Sequence, residues 1–183
     1  MPVALWIVLG VAALIALYWI SQYNSLVRLR NWIEEAWAQI DVQLKRRYDL
    51  IPNLVETVKG YAKHEQETLQ KVIEARNRLL AGGRAEQLEA NEQLTGALKS
   101  LFALQEAYPD LKAHEGFNKL QEQLEGTENK IAAARQLYNR TVMQYNTKLE
   151  SFPSNIVASV HGFKRAEMLE ASADERRAVR VEF

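Results

Sequence analysis

The sequence predicts an all-α protein, an N-terminal transmembrane helix followed by an elongated antiparallel four-helix-type bundle. Three observations lead there. Val3 to Ile20 is uncharged and apolar. Two long stretches after it carry apolar residues at steps of three and four, the spacing that places side chains on one face of a helix. Only four prolines and eight glycines punctuate 183 residues, and no segment shows strand alternation of useful length. The expected division is an anchor over 1–21, a helical bundle over 22–163 and a C-terminal tail over 164–183.

Val3–Ile20 spans roughly 27 Å as a helix at about 1.5 Å per residue, just enough for a hydrocarbon core of about 30 Å. Trp6 lies near one end, and Tyr18, Trp19 and Tyr23 lie at the other, where amphipathic rings prefer the interface. Arg, Lys, Asp, Glu and His are all absent before Arg28. A cleaved signal peptide would show a basic leading region and a small-x-small site after the apolar run; the run ends instead in Tyr-Trp-Ile-Ser-Gln-Tyr. Within the span, Gly10, Ala13 and Ala16 fall near one side and allow close helix approach. Arg28, Arg30, Lys45, Arg46 and Arg47 follow the anchor, so the positive-inside bias puts the bundle in the cytoplasm.

The first stripe is Leu26, Leu29, Ile33, Trp37, Ile40, Leu44, Tyr48, Ile51, Val55, Val58 and Tyr61. It predicts a helix running from the anchor to about Leu80, ended by Gly82-Gly83. Pro52 removes a backbone donor and predicts a kink or short break near Asp49–Pro52. A second helix is expected over Arg84–Ala107, broken by Tyr108-Pro109-Asp110. A third is expected over Leu111–Glu150, with the stripe Phe117, Leu120, Leu124, Thr127, Ile131, Ala134, Tyr138, Thr141, Tyr145, Leu149 and Phe152. Ser154 suits the cap of a short helix over Asn155–His161, closed by Gly162. From Lys164 the chain is charged, small and aperiodic, and is read as a loosely held tail.

Composition narrows the function classes. Basic and acidic residues balance at 23 each, which gives no electrostatic reason to expect nucleic acid. With no cysteine, disulfides and thiolate metal sites are excluded. His64-Glu65-x-Glu67 lacks a second histidine at helical spacing, and His114 and His161 lie in or beside connections, so neither a metal nor another cofactor is expected. No phosphate loop, nucleophile elbow or paired-carboxylate signature is present, and no catalytic residues are proposed.

Two polar features stand out. Arg47, Asp49, Pro52 and Asn53 cluster at the expected kink. Pro52 leaves the Tyr48 carbonyl without its usual donor, and Asn53 is positioned to satisfy local backbone. Such a kink can form a binding notch, though a solvated face with a helix-break cap is the simpler reading. Tyr23-Asn24-x-x-Val27-x-x-x-Asn31 is echoed by Tyr138-Asn139-x-x-Val142-x-x-x-Asn146. Asn24, Asn139 and Asn146 flank the apolar stripes, where an amide can fix helix register at some cost in stability.

The chain resembles LemA proteins, bacterial membrane-anchored helical proteins, along nearly its whole length. The most specific block is Leu44-Lys45-Arg46-Arg47-x-Asp49-Leu50-Ile51-Pro52-Asn53-Leu54-Val55, followed by Val58-Lys59-Gly60-Tyr61 and His64-Glu65. Tyr23-Asn24-x-Leu26-Val27, Ala36-Trp37-x-x-Ile40-Asp41, Thr127-Glu128-Asn129-x-Ile131, Ala134-Arg135-x-x-Tyr138-Asn139, Tyr145-Asn146 and Phe152-Pro153-Ser154-Asn155 extend the likeness. After Phe163 the sequence departs from the pattern, which carries more prolines there. The resemblance implies an antiparallel, mainly four-helix fold behind one membrane helix. It also implies an association with organising bacterial membranes, and it brings no catalytic residues. The leading expectation is a membrane-anchored, non-enzymatic scaffold that self-associates in the inner membrane. The alternative is a tethered adaptor that offers a helical groove to a membrane-protein partner.

Overall fold

The computed structural model describes residues 3–170. Every regular element among them is helical: α1 (Val3–Tyr61), α2 (Gln66–Arg78), α3 (Arg84–Ala103), α4 (Pro109–Lys112), α5 (Glu115–Glu150) and α6 (Ser154–Val160), with a 3₁₀ turn at Leu104–Glu106. Two compact units form. Among the described residues, one takes 3–38 and 135–168, and the other takes 39–134 and 169–170. α1 and α5 each contribute a stretch to both.

In the first unit the core is Leu26, Leu29, Ile33 and Ala36 of α1, Tyr138, Val142 and Tyr145 of α5, and Val157 and Ala158 of α6. Leu26, Leu29, Ile33, Tyr138 and Tyr145 are stripe positions, so helical periodicity translates into burial there, and Ala36 and Val142 sit beside the stripe residues Trp37 and Thr141. Trp37 meets Tyr138 edge-on, with ring centroids 6.3 Å apart. The Lys148 ammonium donates to Ser25 Oγ at 2.6 Å. Burial pushes the Lys148 pKa below its ordinary value, and the nearby Arg28 charge adds to that shift.

Ser154 does not cap α6 as expected. It is the first residue of the helix, and its hydroxyl donates to the Lys148 and Ser151 carbonyls at 2.7 and 2.9 Å. The Lys148 carbonyl is in the last turn of α5, so a hydroxyl six residues on serves the end of the preceding helix, while the Ser151 carbonyl also accepts from the Asn155 N–H at 2.8 Å. Gly162 closes α6 in the left-handed region at φ 68°, as expected of a C-terminal glycine.

The segment after Gly162 is held more firmly than expected. Asn146 reads both backbone groups of Ala166, accepting from its N–H at 3.0 Å and donating to its carbonyl at 2.9 Å. The Tyr138 hydroxyl donates to the Glu167 carbonyl at 3.4 Å, and Arg165 pairs with Glu150 at 2.5 Å. A primary amide presents one donor and one acceptor, the same pair a neighbouring strand would offer, so one side chain can seat an extended residue. Replacing Asn146 with Ala removes two bonds worth about 1–2 kcal/mol together. Hydrogen exchange at the Ala166 amide is then expected to accelerate roughly 5–30-fold, while exchange in the middle of α5 stays unchanged. The closing Val-Arg-Val-Glu-Phe of the expected tail lies outside the described residues.

In the second unit the core is Ile40, Leu44, Ile51, Leu54, Val55 and Val58 of α1, Leu69, Val72 and Ala75 of α2, Leu88, Leu94, Leu98 and Leu101 of α3, and Phe117, Leu124 and Ile131 of α5. Two expectations are corrected. Of the kink or short break expected near Asp49–Pro52, the break does not occur: Pro52 sits inside α1, which continues to Tyr61. Nor does the helix reach Leu80. It stops at Tyr61, and α2 starts separately at Gln66. The cause is visible in the chain: Lys63 to Thr68 are six polar residues in succession, so no side chain can hold that turn against the core. Gly82 adopts φ 78°, and the Glu86 carboxylate accepts from the Gly83 N–H at 2.8 Å to start α3.

The expected second and third helices are each shortened. α3 ends at Ala103, and α5 starts at Glu115 rather than Leu111. The His114 Nδ1 accepts from the Phe117 N–H at 3.0 Å and so caps α5, a role usually taken by a short polar side chain. Tyr61 meets the same imidazole edge-on at 5.3 Å between centroids.

Candidate functional site

The densest buried polar group lies in the second unit. Arg47 is 2% exposed, at a position one turn from the core residues Leu44 and Ile51. Its Nη1 donates to Asn91 Oδ1 at 2.6 Å and to Thr95 Oγ1 at 3.1 Å, both on α3, and to the Glu128 carboxylate on α5. Asn91 Nδ2 and Thr95 Oγ1 also donate to Glu128, at 3.3 and 3.1 Å. Three helices therefore converge on one ion pair. Burial pulls the Arg47 pKa below its ordinary value, while the Glu128 charge and hydrogen bond act the other way; the guanidinium stays charged. One nitrogen, Nε, has no hydrogen-bond partner.

Chemically the cluster is self-contained. The Glu128 carboxylate already neutralises Arg47, and the amide and hydroxyl complete the contact. Arg47 thus belongs to the interior rather than to a solvated face.

The other sequence-selected residues lie elsewhere. Asp49 pairs with Lys45 at 2.6 Å, and both are exposed. Pro52 and Asn53 are exposed, and the Asn53 carbonyl accepts from Thr57 Oγ1 at 2.8 Å. The carbonyl freed by Pro52 is that of Tyr48, and Arg76 of α2 satisfies it through Nε at 2.9 Å. The Arg76 guanidinium also lies 3.8 Å from the Tyr48 ring centroid. Asn53 was expected in that role; a neighbouring helix takes it.

In the first unit Asn24 is exposed, Asn139 half-buried and Asn146 buried. The two tyrosines of the internal echo share a task. Tyr23 stacks near His161 and Phe163, at 4.7 and 5.7 Å between centroids, and Tyr138 holds Glu167. Both engage the segment returning after α6. Trp6, Gly10, Ala13, Ala16 and Tyr18 are exposed along the apolar span; Trp19 is half-buried and donates from Nε1 to His161 Nε2 at 3.1 Å. α1 is the helix among the described residues that is long and apolar enough to cross a membrane, and none of its apolar span is buried. Among the described residues no group of three or more metal-ligating side chains converges.

A family model described as the LemA family matches residues 36–183. The chain belongs to the LemA family. Its apolar span precedes the matched region. Protein LemA of Metamycoplasma hominis is 28% identical over 160 residues, covering 86% of this chain and 73% of that protein. Magnetosome protein MamQ 2 of Paramagnetospirillum magneticum is 26% identical over 187 residues, covering 87% and 68%. Magnetosome protein MamQ of Magnetospirillum gryphiswaldense is 25% identical over 195 residues, covering 91% and 72%.

Within this LemA-family chain, residue patterns single out Arg47 but not its partners. Asn91 could have been found: it lies three residues from both Leu88 and Leu94, on the apolar seam of α3, where a polar side chain needs a partner. Glu128 follows the seam residue Thr127 and carries no comparable signal.

Proposed function

We propose that this LemA-family protein is a single-pass, membrane-anchored and non-enzymatic scaffold that self-associates and helps to organise a bacterial membrane. The observation that carries this reading is the exposed, uncharged start of α1, which passes without interruption into a helix that serves two cores. Outside a bilayer that surface would be a large apolar patch, which a soluble chain rarely leaves open. The likeness to magnetosome proteins supports membrane association, and Gly10, Ala13 and Ala16 supply a face for anchor packing. In this reading the helices after the anchor form an antiparallel four-helix-type bundle. The anchor lies in the inner membrane with the bundle on the cytoplasmic side, as the arginines after the span favour.

Removal of residues 1–21 is expected to move the protein from the membrane pellet to the aqueous fraction. The remaining chain should keep its helical circular dichroism, because no core residue precedes Leu26. Recovery of the shortened chain in the pellet would count against the anchor. Self-association is tested on the full chain in lipid nanodiscs and in detergent by light scattering; a strict monomer in both overturns the scaffold reading.

The alternative, an adaptor for a membrane-protein partner, is favoured by an open groove of about 580 Å³ in the first unit, lined by Met143, Asn146, Glu150, Arg165 and Met168 among others. Cross-linking from Met143 in cells that recovers only self-contacts overturns the adaptor.

A further inference from the structure

α6 has two unlike faces. Ser154, Val157 and Ala158 are buried. On the other side Phe152, Ile156 and Val160 are 80, 46 and 65% exposed. Ile156 and Val160 are one turn apart on α6, Phe152 lies two residues before the helix starts, and the run from Ser151 to Val160 contains no charge. Ser159 is the polar residue exposed beside them, and three large apolar side chains this close together are unusual on a surface bathed in water.

The position of this face is fixed by contacts at both ends. Lys148, just before α6, bonds to Ser25. His161, just after it, bonds to Trp19 and stacks near Tyr23. The whole return from 148 to 161 is therefore held against Trp19–Ser25, a stretch of roughly 9 Å along α1. The apolar span ends within that stretch, at Ile20. The aromatic cluster of Trp19, Tyr23 and Phe163 lies here too, joined by Arg30 at 5.7 Å from the Phe163 centroid. α1 carries Arg28 and Arg30 but no acidic residue before Glu34.

We propose that α6 is a second bilayer-contacting element, with its Phe152–Ile156–Val160 face lying in the boundary between headgroups and acyl chains beside the emerging α1. Arg28, Arg30 and Lys164 supply cationic charge for anionic headgroups at the same level. The occupant of this face is thus the bilayer surface, continuous with the one α1 crosses. The exposed apolar residues of α6 lie beside the point where the apolar span ends, and aromatic rings and arginines mark interface depth. The inference rests on the anchored reading of α1. It adds a consequence: the anchor is gripped at its membrane exit, so the helix above cannot swivel freely.

The chain has no cysteine, so single nitroxide labels can be placed in the full-length protein in phosphatidylcholine vesicles containing phosphatidylglycerol. Ile156→Cys and Val160→Cys are the test positions. Leu14→Cys reports the span, and Met143→Cys reports an exposed site on α5. Power saturation should give the Ile156 and Val160 labels a several-fold higher ratio of oxygen to nickel-chelate accessibility than the Met143 label. If Leu14 reads as lipid while Ile156 and Val160 match Met143, the proposal is overturned and the anchor stands. If the Leu14 label also reads as water, the anchored reading fails and this inference with it. Labels shielded from both reagents and broadened by one another would show a second copy on the face, which also overturns the proposal. Circular dichroism equal to the parent protein confirms that each variant is folded.

Discussion

Glu128→Ala is expected to destabilise the protein by about 3 kcal/mol, at the lower edge of the range for breaking a buried ion pair. The reason is asymmetry. Arg47 is 2% exposed and Glu128 is 37% exposed at the side chain. Removing the acid leaves a guanidinium enclosed in the core, held only by Asn91 and Thr95. Removing the base leaves a carboxylate that can turn toward water. Arg47→Met should therefore cost only about 1–2 kcal/mol, since a flexible apolar chain fills much of the vacated volume. The combination of Arg47→Met with Glu128→Leu should fall within about 1 kcal/mol of the parent, because burying the pair already carries a desolvation cost and one unpartnered nitrogen. Chemical denaturation of the full chain in detergent, followed by circular dichroism, reads all three. Equal losses for the two single variants would contradict this account.

If the double variant keeps its stability, the cluster exists for something other than stability. One arginine that contacts α3 and α5 together sets their axial positions against α1, because a slip of one turn would strand the charge. The double variant is then predicted to fold with broadened amide resonances in α3 while keeping its unfolding midpoint. Sharp parent-like spectra would remove the registry role.

The legible part of the molecule is the part set by periodicity. Every residue of the first stripe from Leu26 to Val58 is buried or half-buried, since a three-four step leaves a helix one face to hide. The boundary at Tyr61 has its own signal: the stripe ends there, and the polar run Lys63–Thr68 follows. Seating of Ala166 by Asn146 was not readable, because a side chain that pairs with distant backbone leaves no pattern in local sequence. The same holds for Arg76 and the Tyr48 carbonyl: Pro52 announces an orphaned acceptor, but which donor reaches it depends on how α2 is placed. Sequence names a need; only three-dimensional packing names its supplier.

That supplier makes Pro52 and Arg76 a coupled pair. A proline in the interior of a helix ordinarily costs about 3 kcal/mol relative to alanine. Here α1 continues through it, with the freed carbonyl bonded by a cation and the adjoining ring covered by the same guanidinium. Part of the cost is thereby recovered, so Pro52→Ala should stabilise by only about 1–2 kcal/mol. Arg76→Met removes a charge-assisted bond and a cation–π contact, and should cost about 2 kcal/mol in the parent. With Pro52→Ala already present, the Tyr48 carbonyl regains a helical N–H donor, and the same arginine change should cost about 1 kcal/mol or less. The double-mutant cycle therefore has a coupling of about 1 kcal/mol, with a sign that distinguishes compensation from independent effects. Strict additivity would mean that α1 tolerates Pro52 without help from α2.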